Sequence, residues 1–369
     1  MTDKPSKIAI IIPASNEEFV IEKTLLALLE YVEGNHIYLV DDNSKDLTRR
    51  LALSHLPKQN ILTLTINHGK AACLNEGIKK FELTKRYEHI MPVDADTIPS
   101  SQFLANVMQV FEDDKQQKIA AVVGKVMGKN SSWITAYRLW EYEMSQVIYK
   151  SAQNIIGTIA VCPGCATVYR AAVFTKTSFS KDTVTEDMDL TFEIHRKKLG
   201  LIKYCPSATV VTQDPGTVKD FAKQVEKWYK GFWQCVVKHN VPWGGQKFDL
   251  EVAILATEGV FNGLLVLALI VLSPIILKYN YMLLFYPLIF DFWLFFMPSL
   301  IYAVLKYKDY MLMLYIPQFY FMRLLTGLIF IKSFFMVLLG ITPSGHWSRT
   351  RRWQISADER KLWLSPSLD

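Results

Sequence analysis

The sequence predicts an α/β domain followed by C-terminal helices that lie in or on a membrane. In the first 100 residues, short apolar runs alternate with segments of helical character, which is typical of βαβ units and a mainly parallel sheet. Beyond about residue 250, three long stretches are almost purely apolar and aromatic. The composition agrees, because half of the 369 residues are apolar and only 21% are charged, below the ~25% usual for soluble domains.

Net charge and cysteine usage exclude several classes of protein. The net charge of +6 suits an anionic membrane surface or a phosphorylated substrate, and it is too diffuse to indicate nucleic-acid binding. Cys162 and Cys165 form a lone C-x-x-C pattern with no second pair and no nearby histidine couple. We therefore expect free buried thiols in a reducing compartment rather than a zinc site.

The expected strands of the α/β domain end at polar, mostly acidic residues. We predict strands at residues 7–12, 36–40, 61–66 and 89–93, with helices at 17–29, 45–53 and 71–81. The four strands run into P-A-S-N-E-E (13–18), D-D-N-S (41–44), N-H-G-K (67–70) and D-A-D (94–96). Ordinary turn chemistry explains one or two of these segments. Because ligands bind outside the carboxyl ends of parallel strands, four in a row indicate a nucleotide and metal site.

Asp94 and Asp96 are the candidate metal ligands. They lie two residues apart at a strand end, so both carboxylates point to the same side. Such a pair can hold Mg²⁺ or Mn²⁺ while leaving positions for diphosphate oxygens; the alternative is an acidic turn. The sequence has no G-x-G-x-x-G motif, and Gly69-Lys70 lacks the other residues of a P-loop.

Asp187 is the candidate general base. The segment T-E-D at 185–187 opens a predicted helix whose stop signals are Lys197, Lys198 and Gly200. A threonine cap with acids in the first turn is the alternative explanation for Thr185 and Glu186.

A long aromatic helix is predicted at residues 220–240. Gln224, Lys227, Trp228 and Gly231 follow an i, i+3, i+4, i+7 spacing and share one edge of this helix. An amphipathic helix packed on the membrane explains the other aromatic residues. It does not explain why a glutamine and a lysine stand beside Trp228.

The three apolar stretches predict how the chain is organised at the membrane. Residues 259–277 and 281–305 reach the ~20 residues that a spanning helix needs, whereas 310–341 is interrupted by polar residues. Nothing at the N-terminus resembles a signal peptide, and basic residues after the second and third stretches favour a cytoplasmic location. Two spans return the chain to the cytoplasm, so the third stretch crosses twice, re-enters or lies in the interface.

We therefore expect a multi-pass protein of the inner or plasma membrane with a cytoplasmic catalytic domain. The predicted parts are a cytosolic domain at 1–240, membrane or interfacial helices at 241–341, and a cytosolic tail at 342–369.

In their order along the chain, these motifs resemble those of the family 2 glycosyltransferases, in particular the processive membrane synthases of cellulose, hyaluronan and poly-N-acetylglucosamine. The resemblance covers residues 7–240. The family order is P-x-x-N-E, an acidic pair, N-x-G-K, D-x-D, C-x-G, T-E-D and Q-x-x-R-W, matched here at 13–17, 41–42, 67–70, 94–96, 162–164, 185–187 and 224–228. Downstream, Trp347, Thr350 and Arg352 are similar to the W-x-x-T-x-R gating segment, with a basic interfacial tail as the alternative.

This resemblance implies a GT-A fold and inverting transfer from a nucleotide sugar, usually UDP-linked, such as UDP-GlcNAc or UDP-Glc. It implies that Asp187 deprotonates the acceptor hydroxyl and that Asp96, with Asp94, binds Mg²⁺ or Mn²⁺. The implied donor-binding residues are Ala14, Glu17, Asp42, Lys70, Asp94, Gln224 and Lys227. The implied acceptor-binding residues are Cys162, Gly164, Glu186 and Trp228.

Two departures from the family pattern leave two alternatives for the acceptor of the sugar. Lys227 replaces the arginine of the motif, and lysine lacks the bidentate fork that arginine offers to phosphate. Two clear spans are also few for a polymer-secreting channel, so the chain oligomerises, uses a membrane partner, or does not secrete a polymer. The first expectation is elongation of a polysaccharide, and the second is transfer of one sugar to a lipid carrier or membrane lipid. A non-catalytic scaffold is the third, and the presence of all candidate catalytic residues disfavours it.

Overall fold

The computed structural model describes residues 7–128 and 131–341, which form two compact units. The first unit contains residues up to Met127 together with Lys150–Gln213. The second contains Gly128–Tyr149 and the described residues from Asp214 onward. Residues 128–149 and 214–240, which precede the predicted boundary at residue 240, thus pack in the same unit as the apolar helices.

The first unit is built on an eight-stranded sheet with the order β3-β2-β1-β4-β7-β6-β8-β5. Its pairings β1–β2, β1–β4, β2–β3 and β6–β8 are parallel, whereas the pairings that involve β5 or β7 are antiparallel. The sheet is therefore mixed, with the predicted parallel part at β1–β4. The strands are β1 (Ile8–Ala14), β2 (Ile37–Asp41), β3 (Ile61–Thr63), β4 (His89–Pro92), β5 (Ile98–Pro99), β6 (Ile119–Met127), β7 (Thr167–Arg170) and β8 (Leu201–Val211).

Helices of the first unit flank this sheet, and helices make up most of the second unit. The first unit contains α1 (Ile21–Leu29), α2 (Thr48–His55), α3 (Lys70–Lys80), α4 (Leu83–Arg86), α5 (Phe103–Asp113), α7 (Ser151–Ile156) and α8 (Glu186–Arg196). The second contains α6 (Trp133–Met144), α9 (Val218–Lys238), α10 (Lys247–Tyr279), α11 (Met282–Asp291), α12 (Met297–Tyr307) and α13 (Ile316–Leu338).

The parallel strands place their carboxyl ends at one edge of the sheet, as predicted. In the register, Ala14 at the end of β1 pairs with Asp41 at the end of β2, and Asp41 pairs with Thr63. Helix α3 covers this region so closely that a Cβ on Gly77 would lie 2.6 Å from side-chain atoms of Ile11 and Val40. The buried core thus fixes where the loops after the strands emerge.

The second unit has a core that is largely aromatic. Its helix α6 starts at Ser132, whose side chain and that of Thr135 form a reciprocal capping box. Packing of α6 and α9 on the apolar helices buries Tyr137, Trp140, Phe221, Phe296 and Phe319 in one cluster. The long aromatic helix predicted from residue 220 is therefore confirmed as α9, and its apolar face packs inside this unit.

Within residues 7–128 and 131–341, three helical stretches are long and apolar enough to cross a membrane, judged by length and composition. They are Lys247–Tyr279, Phe285–Tyr307 and Tyr310–Leu338. The third stretch, expected to cross twice, re-enter or lie in the interface, thus also has the length of a single span. Its Arg323 forms a bidentate pair with Asp291 of α11, with N–O distances of 2.6 and 3.0 Å. The predicted gating residues Trp347, Thr350 and Arg352 lie outside the described residues.

Candidate active site

The loops after β1 and β2 are tied together at the carboxyl edge of the sheet. The N–H of Asp42 donates to the carbonyl of Ala14 at 2.8 Å. The N–H of Glu17, a buried residue, donates to Oγ1 of Thr48 at 2.7 Å. The structure therefore brings the predicted donor residues Ala14, Glu17 and Asp42 to one edge.

Asp42 orders the loop that leads into α3. Its two carboxylate oxygens accept the N–H groups of His68 at 2.7 Å and of Gly69 at 2.9 Å. Gly69 is the N-cap residue and has a φ of 83°, a conformation that favours glycine. A fully buried carboxylate at a helix N-terminus is also stabilised by the helix dipole. Asp42 thereby fixes the start of α3, where Lys70 is the first residue.

Lys70 joins the D-x-D segment to the T-E-D segment. Its Nζ lies 2.6 Å from Oδ1 of Asp94 and 2.9 Å from Oε1 of Glu186. Burial lowers the pKa of Lys70, but Asp94 and Glu186 outweigh it and hold this pKa above its ordinary value. Lys70 therefore stays cationic. Its ammonium group connects the D-x-D and T-E-D motifs, which lie about 90 residues apart in the sequence.

Asp187 lies beside this ion cluster at the start of α8. Its Oδ2 accepts the N–H of Gly164 at 3.0 Å, and its Oδ1 accepts the N–H of Met188 at 2.8 Å. Burial and the neighbouring Glu186 raise the pKa of Asp187, while Lys70 and the two N–H groups oppose this rise. A carboxylate with a raised pKa is a stronger base than an ordinary aspartate, which suits proton abstraction.

The C-x-G loop is fastened to α8 by Thr191. Oγ1 of Thr191 accepts the N–H of Cys162 at 2.9 Å and donates to the carbonyl of Asp187 at 2.7 Å. Gly164 leaves room for the cluster, since a Cβ there would lie 2.9 Å from Nζ of Lys70. Burial raises the pKa of the Cys162 thiol to about 12, so this thiol is protonated. Both cysteines of the C-x-x-C pattern are free, as predicted, but only Cys162 is buried and Cys165 is half-buried.

Asp94 and Asp96 supply hard oxygen donors of the kind that Mg²⁺ and Mn²⁺ prefer. Asp96 is buried, and its Oδ2 accepts a hydrogen bond from Oγ1 of Thr212 at 3.2 Å. Within residues 7–128 and 131–341, no group of three or more His, Cys, Asp or Glu residues could hold a metal ion. The two aspartates therefore fit a divalent cation that takes further oxygens from a bound ligand, and they do not form a complete protein cage.

The Q-x-x-K-W segment lies on α9 in the second unit, where an arginine holds it. Nη2 of Arg138 on α6 donates to Oε1 of Gln224 at 2.7 Å. The guanidinium carbon lies 4.9 Å from the centroid of the Trp228 ring. Gln224, Lys227 and Trp228 are all half-buried. Sequence reasoning missed Arg138, because it matches no motif and lies 86 positions before Gln224.

Lys150 is a second residue that sequence reasoning missed. It is half-buried, and burial lowers its pKa to about 8, although Cys162, Cys165 and Asp187 oppose this shift. The sequence around Lys150 reads as an ordinary amphipathic segment and carries no signal for this environment.

Comparison with known sequences assigns the chain to one family. The family described as glycosyltransferase like family 2 matches residues 5–231. The chain is 27% identical to the poly-beta-1,6-N-acetyl-D-glucosamine synthase of Staphylococcus epidermidis, over 88% of this chain and 78% of that protein. It is 26% identical to the beta-monoglucosyldiacylglycerol synthase of Trichormus variabilis, over 69% of this chain and 57% of that protein. The hyaluronan synthase of Streptococcus pyogenes is 23% identical, over 62% and 57%.

Comparison with solved structures supports the same fold. The mannosyltransferase PcManGT from Pyrobaculum calidifontis, solved in complex with GDP-Man and Mn²⁺, has a TM-score of 0.56 to this chain at 19% identity, covering 81% of this chain and 86% of that one. The predicted GT-A fold is thus confirmed, with a mixed sheet. Because the family match extends over more than half of the sequence, the chain belongs to glycosyltransferase family 2 and is a nucleotide-sugar-dependent glycosyltransferase.

Proposed function

We propose that this glycosyltransferase is a multi-pass protein of the inner or plasma membrane that elongates a polysaccharide. Its catalytic unit faces the cytoplasm and transfers a sugar from UDP-GlcNAc or UDP-Glc, with inversion, to the end of the growing chain. One observation carries this proposal: the 27% identity to a poly-beta-1,6-N-acetyl-D-glucosamine synthase extends over 88% of the chain. It therefore includes the apolar helices as well as the catalytic unit.

The donor site that we propose lies at the carboxyl edge of the sheet. Asp42 orders the β3–α3 loop through two N–H groups and so shapes the edge on which the nucleotide would lie. Lys70 adds a fixed positive charge beside Asp94. On the first unit, the residues that would contact the nucleotide sugar are Ala14, Glu17, Asp42, Lys70 and Asp94. By the family's motif, Gln224 and Lys227 are further proposed donor residues.

Asp94 and Asp96 would hold Mg²⁺ or Mn²⁺ at this site. When bound, the ion would supply positive charge that stabilises the diphosphate leaving group. The charges of the cluster agree with this role, because three acidic residues, Asp94, Glu186 and Asp187, surround the single positive charge of Lys70. A solved structural neighbour carries Mn²⁺ together with its nucleotide sugar.

Asp187 would take the proton from the acceptor hydroxyl, which then attacks the anomeric carbon. The N–H groups of Gly164 and Met188 fix both carboxylate oxygens, so the base is oriented before the acceptor arrives. Its raised pKa strengthens it as a base. Our proposed acceptor residues are Cys162, Gly164, Glu186 and Trp228. Of these, the buried Cys162 would act by holding the C-x-G loop, and Glu186 would act through its contact with Lys70.

The second candidate function is transfer of one sugar to a lipid carrier or membrane lipid. The specific observation in its favour is the 26% identity to a beta-monoglucosyldiacylglycerol synthase. The three candidate spans in the described part of the chain are also few for a channel that secretes a polymer. If the chain does secrete one, we propose that a second copy or a membrane partner subunit completes the channel.

Purified protein in detergent or nanodiscs, incubated with a panel of UDP-sugars and Mn²⁺ or Mg²⁺, tests both functions. Release of UDP identifies the donor, and the size of the radiolabelled product identifies the acceptor class. We expect a ladder or smear of many sugar units from UDP-GlcNAc or UDP-Glc. A single lipid-soluble product would establish the second candidate instead, and release of no UDP from any donor would overturn both.

A further inference from the structure

Arg138 is the largest of the fully buried side chains, and it lies beneath the Q-x-x-K-W segment. Its side chain is 1% exposed, although it carries a permanent charge. Nη1 contacts Oε2 of Glu141 on the same helix, and Nε lies 3.8 Å from Oδ1 of Asp214. Two carboxylates therefore compensate the charge of the buried cation, and of the two it is Glu141 that accepts a hydrogen bond from the guanidinium.

The contact with Arg138 determines how the side-chain amide of Gln224 is turned. A guanidinium offers hydrogen-bond donors and no acceptor, so only the oxygen of the amide can face it. The Nη2–Oε1 distance of 2.7 Å is that of a charge-assisted hydrogen bond. The Nε2–H donors of Gln224 are consequently directed away from Arg138, in the orientation that suits a hydroxyl or phosphate oxygen of a ligand.

The same guanidinium supports the Trp228 ring. Its carbon lies 4.9 Å from the Trp228 ring centroid and 4.3 Å from that of Phe221, one of the buried aromatic residues of α9. A cation that covers one face of an indole holds the ring by electrostatic attraction. It also leaves the opposite face as the one that a sugar can stack on.

We propose that Arg138 is a positioning residue for glycosyl transfer, which sets the orientation of both Gln224 and Trp228 before substrates bind. This inference rests on the proposed function, in which Gln224 contacts the donor and Trp228 the acceptor sugar. Lys227 lacks the planar fork of the family's arginine. Arg138 on α6 provides a planar guanidinium of this kind, and this group contacts Gln224 and Trp228 of the Q-x-x-K-W segment.

The variant Arg138→Lys tests this role, because lysine keeps the charge but loses the fork. Arg170→Lys is the matched control: Arg170 also pairs with an acid, Asp114, at 3.3 Å and lies over a ring, that of Phe111, at 5.3 Å. We expect kcat/KM for transfer to fall about tenfold or more in R138K, the size of one charged hydrogen bond. R170K should change it less than about twofold at a similar loss of Tm.

A double-mutant cycle with Gln224→Ala distinguishes positioning from a general structural effect. If Arg138 acts through Gln224, R138K costs clearly less activity in the Q224A background than in the wild type, the remaining loss being the part that acts through Trp228, whereas R170K and Q224A combine multiplicatively. Full multiplicative loss for R138K and Q224A would overturn the inference.

Should R138K not fold, Glu141→Gln loosens the guanidinium without removing it, since the Glu141 side chain is 26% exposed. E141Q should then give a severalfold loss that is likewise smaller in the Q224A background, and an undiminished loss there would overturn the inference. These outcomes are separate from failure of the proposed function, which would show as no transfer from any UDP-sugar by the wild-type protein.

Discussion

Replacing Asp187 by Asn should abolish most transfer while leaving the fold intact. An amide cannot accept the proton of the acceptor hydroxyl, and a positioned general base contributes ~10²–10⁴-fold, or about 2.7–5.5 kcal/mol of activation free energy. Donor binding should change little, because Lys70 keeps its contacts with Asp94 and Glu186. Single-turnover transfer and donor affinity, measured on the same preparation, separate these two effects.

The structure also predicts how D187N changes stability. An asparagine oxygen can keep one of the two backbone hydrogen bonds that Asp187 accepts, and losing the other costs about 1 kcal/mol, or ~2–4 °C in Tm for a domain of this size. Burial and Glu186 raise the pKa of Asp187 on folding. Ionisation of Asp187 therefore reduces stability as the pH rises through its folded pKa, and the asparagine variant escapes this loss. The Tm of D187N minus that of wild type should accordingly increase with pH.

Asp189→Asn is the matched control for this experiment. Asp189 is fully buried on the same helix, two residues further on, and its Oδ2 accepts a hydrogen bond from Oγ1 of Thr183 at 3.4 Å. D189N should lower Tm without the selective loss of transfer. If D187N transferred sugar within about threefold of the wild-type rate, Asp187 would be a helix-start acid, and the assignment of the base would be refuted.

Three further changes test other parts of the site. Asp96→Asn and metal chelators should both abolish turnover, with Mn²⁺ or Mg²⁺ restoring only the chelated wild type; full activity in chelator would refute the metal site. Gly164→Ala should raise the donor KM about tenfold, the size of one charged hydrogen bond, because its Cβ would lie 2.9 Å from Nζ of Lys70 and displace this ion-paired ammonium from Asp94; an unchanged KM would contradict this. Trp228→Ala should shorten the polymer while UDP-sugar hydrolysis persists. The control Trp243→Ala, at a side chain that is 80% exposed, should leave the polymer length unchanged. One product size in wild type and W228A alike would favour the lipid acceptor.

The parallel part of the sheet and the residues at its edge could be predicted from the sequence. Polar residues follow each of the first four strands, and parallel strands direct such residues to one edge. The prediction of β3 was too long, because Ile66 lies exposed and the strand ends at Thr63. The antiparallel strand β7 has four residues and no alternation, so only its pairing with β4 and β6 identifies it.

Contacts made by tertiary packing were beyond the reach of the sequence. The T-E-D segment indicated Asp187, but nothing local indicated that Lys70 would bridge Asp94 and Glu186. Arg138 carried no signal, since its partners are supplied by the packing of α6 against α9. Motifs thus indicated the groups that we propose act on substrates, whereas the contacts of these groups, such as those of Lys70 and Arg138, required the structure.

The anomeric configuration of the product tests the central claim most directly. UDP-GlcNAc and UDP-Glc carry their sugar in the α configuration, and a single displacement by a hydroxyl that Asp187 deprotonates must invert it. Proton NMR of the product formed by the wild-type enzyme should therefore show only β linkages, identified by their large H1–H2 coupling. An α-linked product would contradict the account, because retention requires an intermediate that an inverting displacement driven by a base does not form.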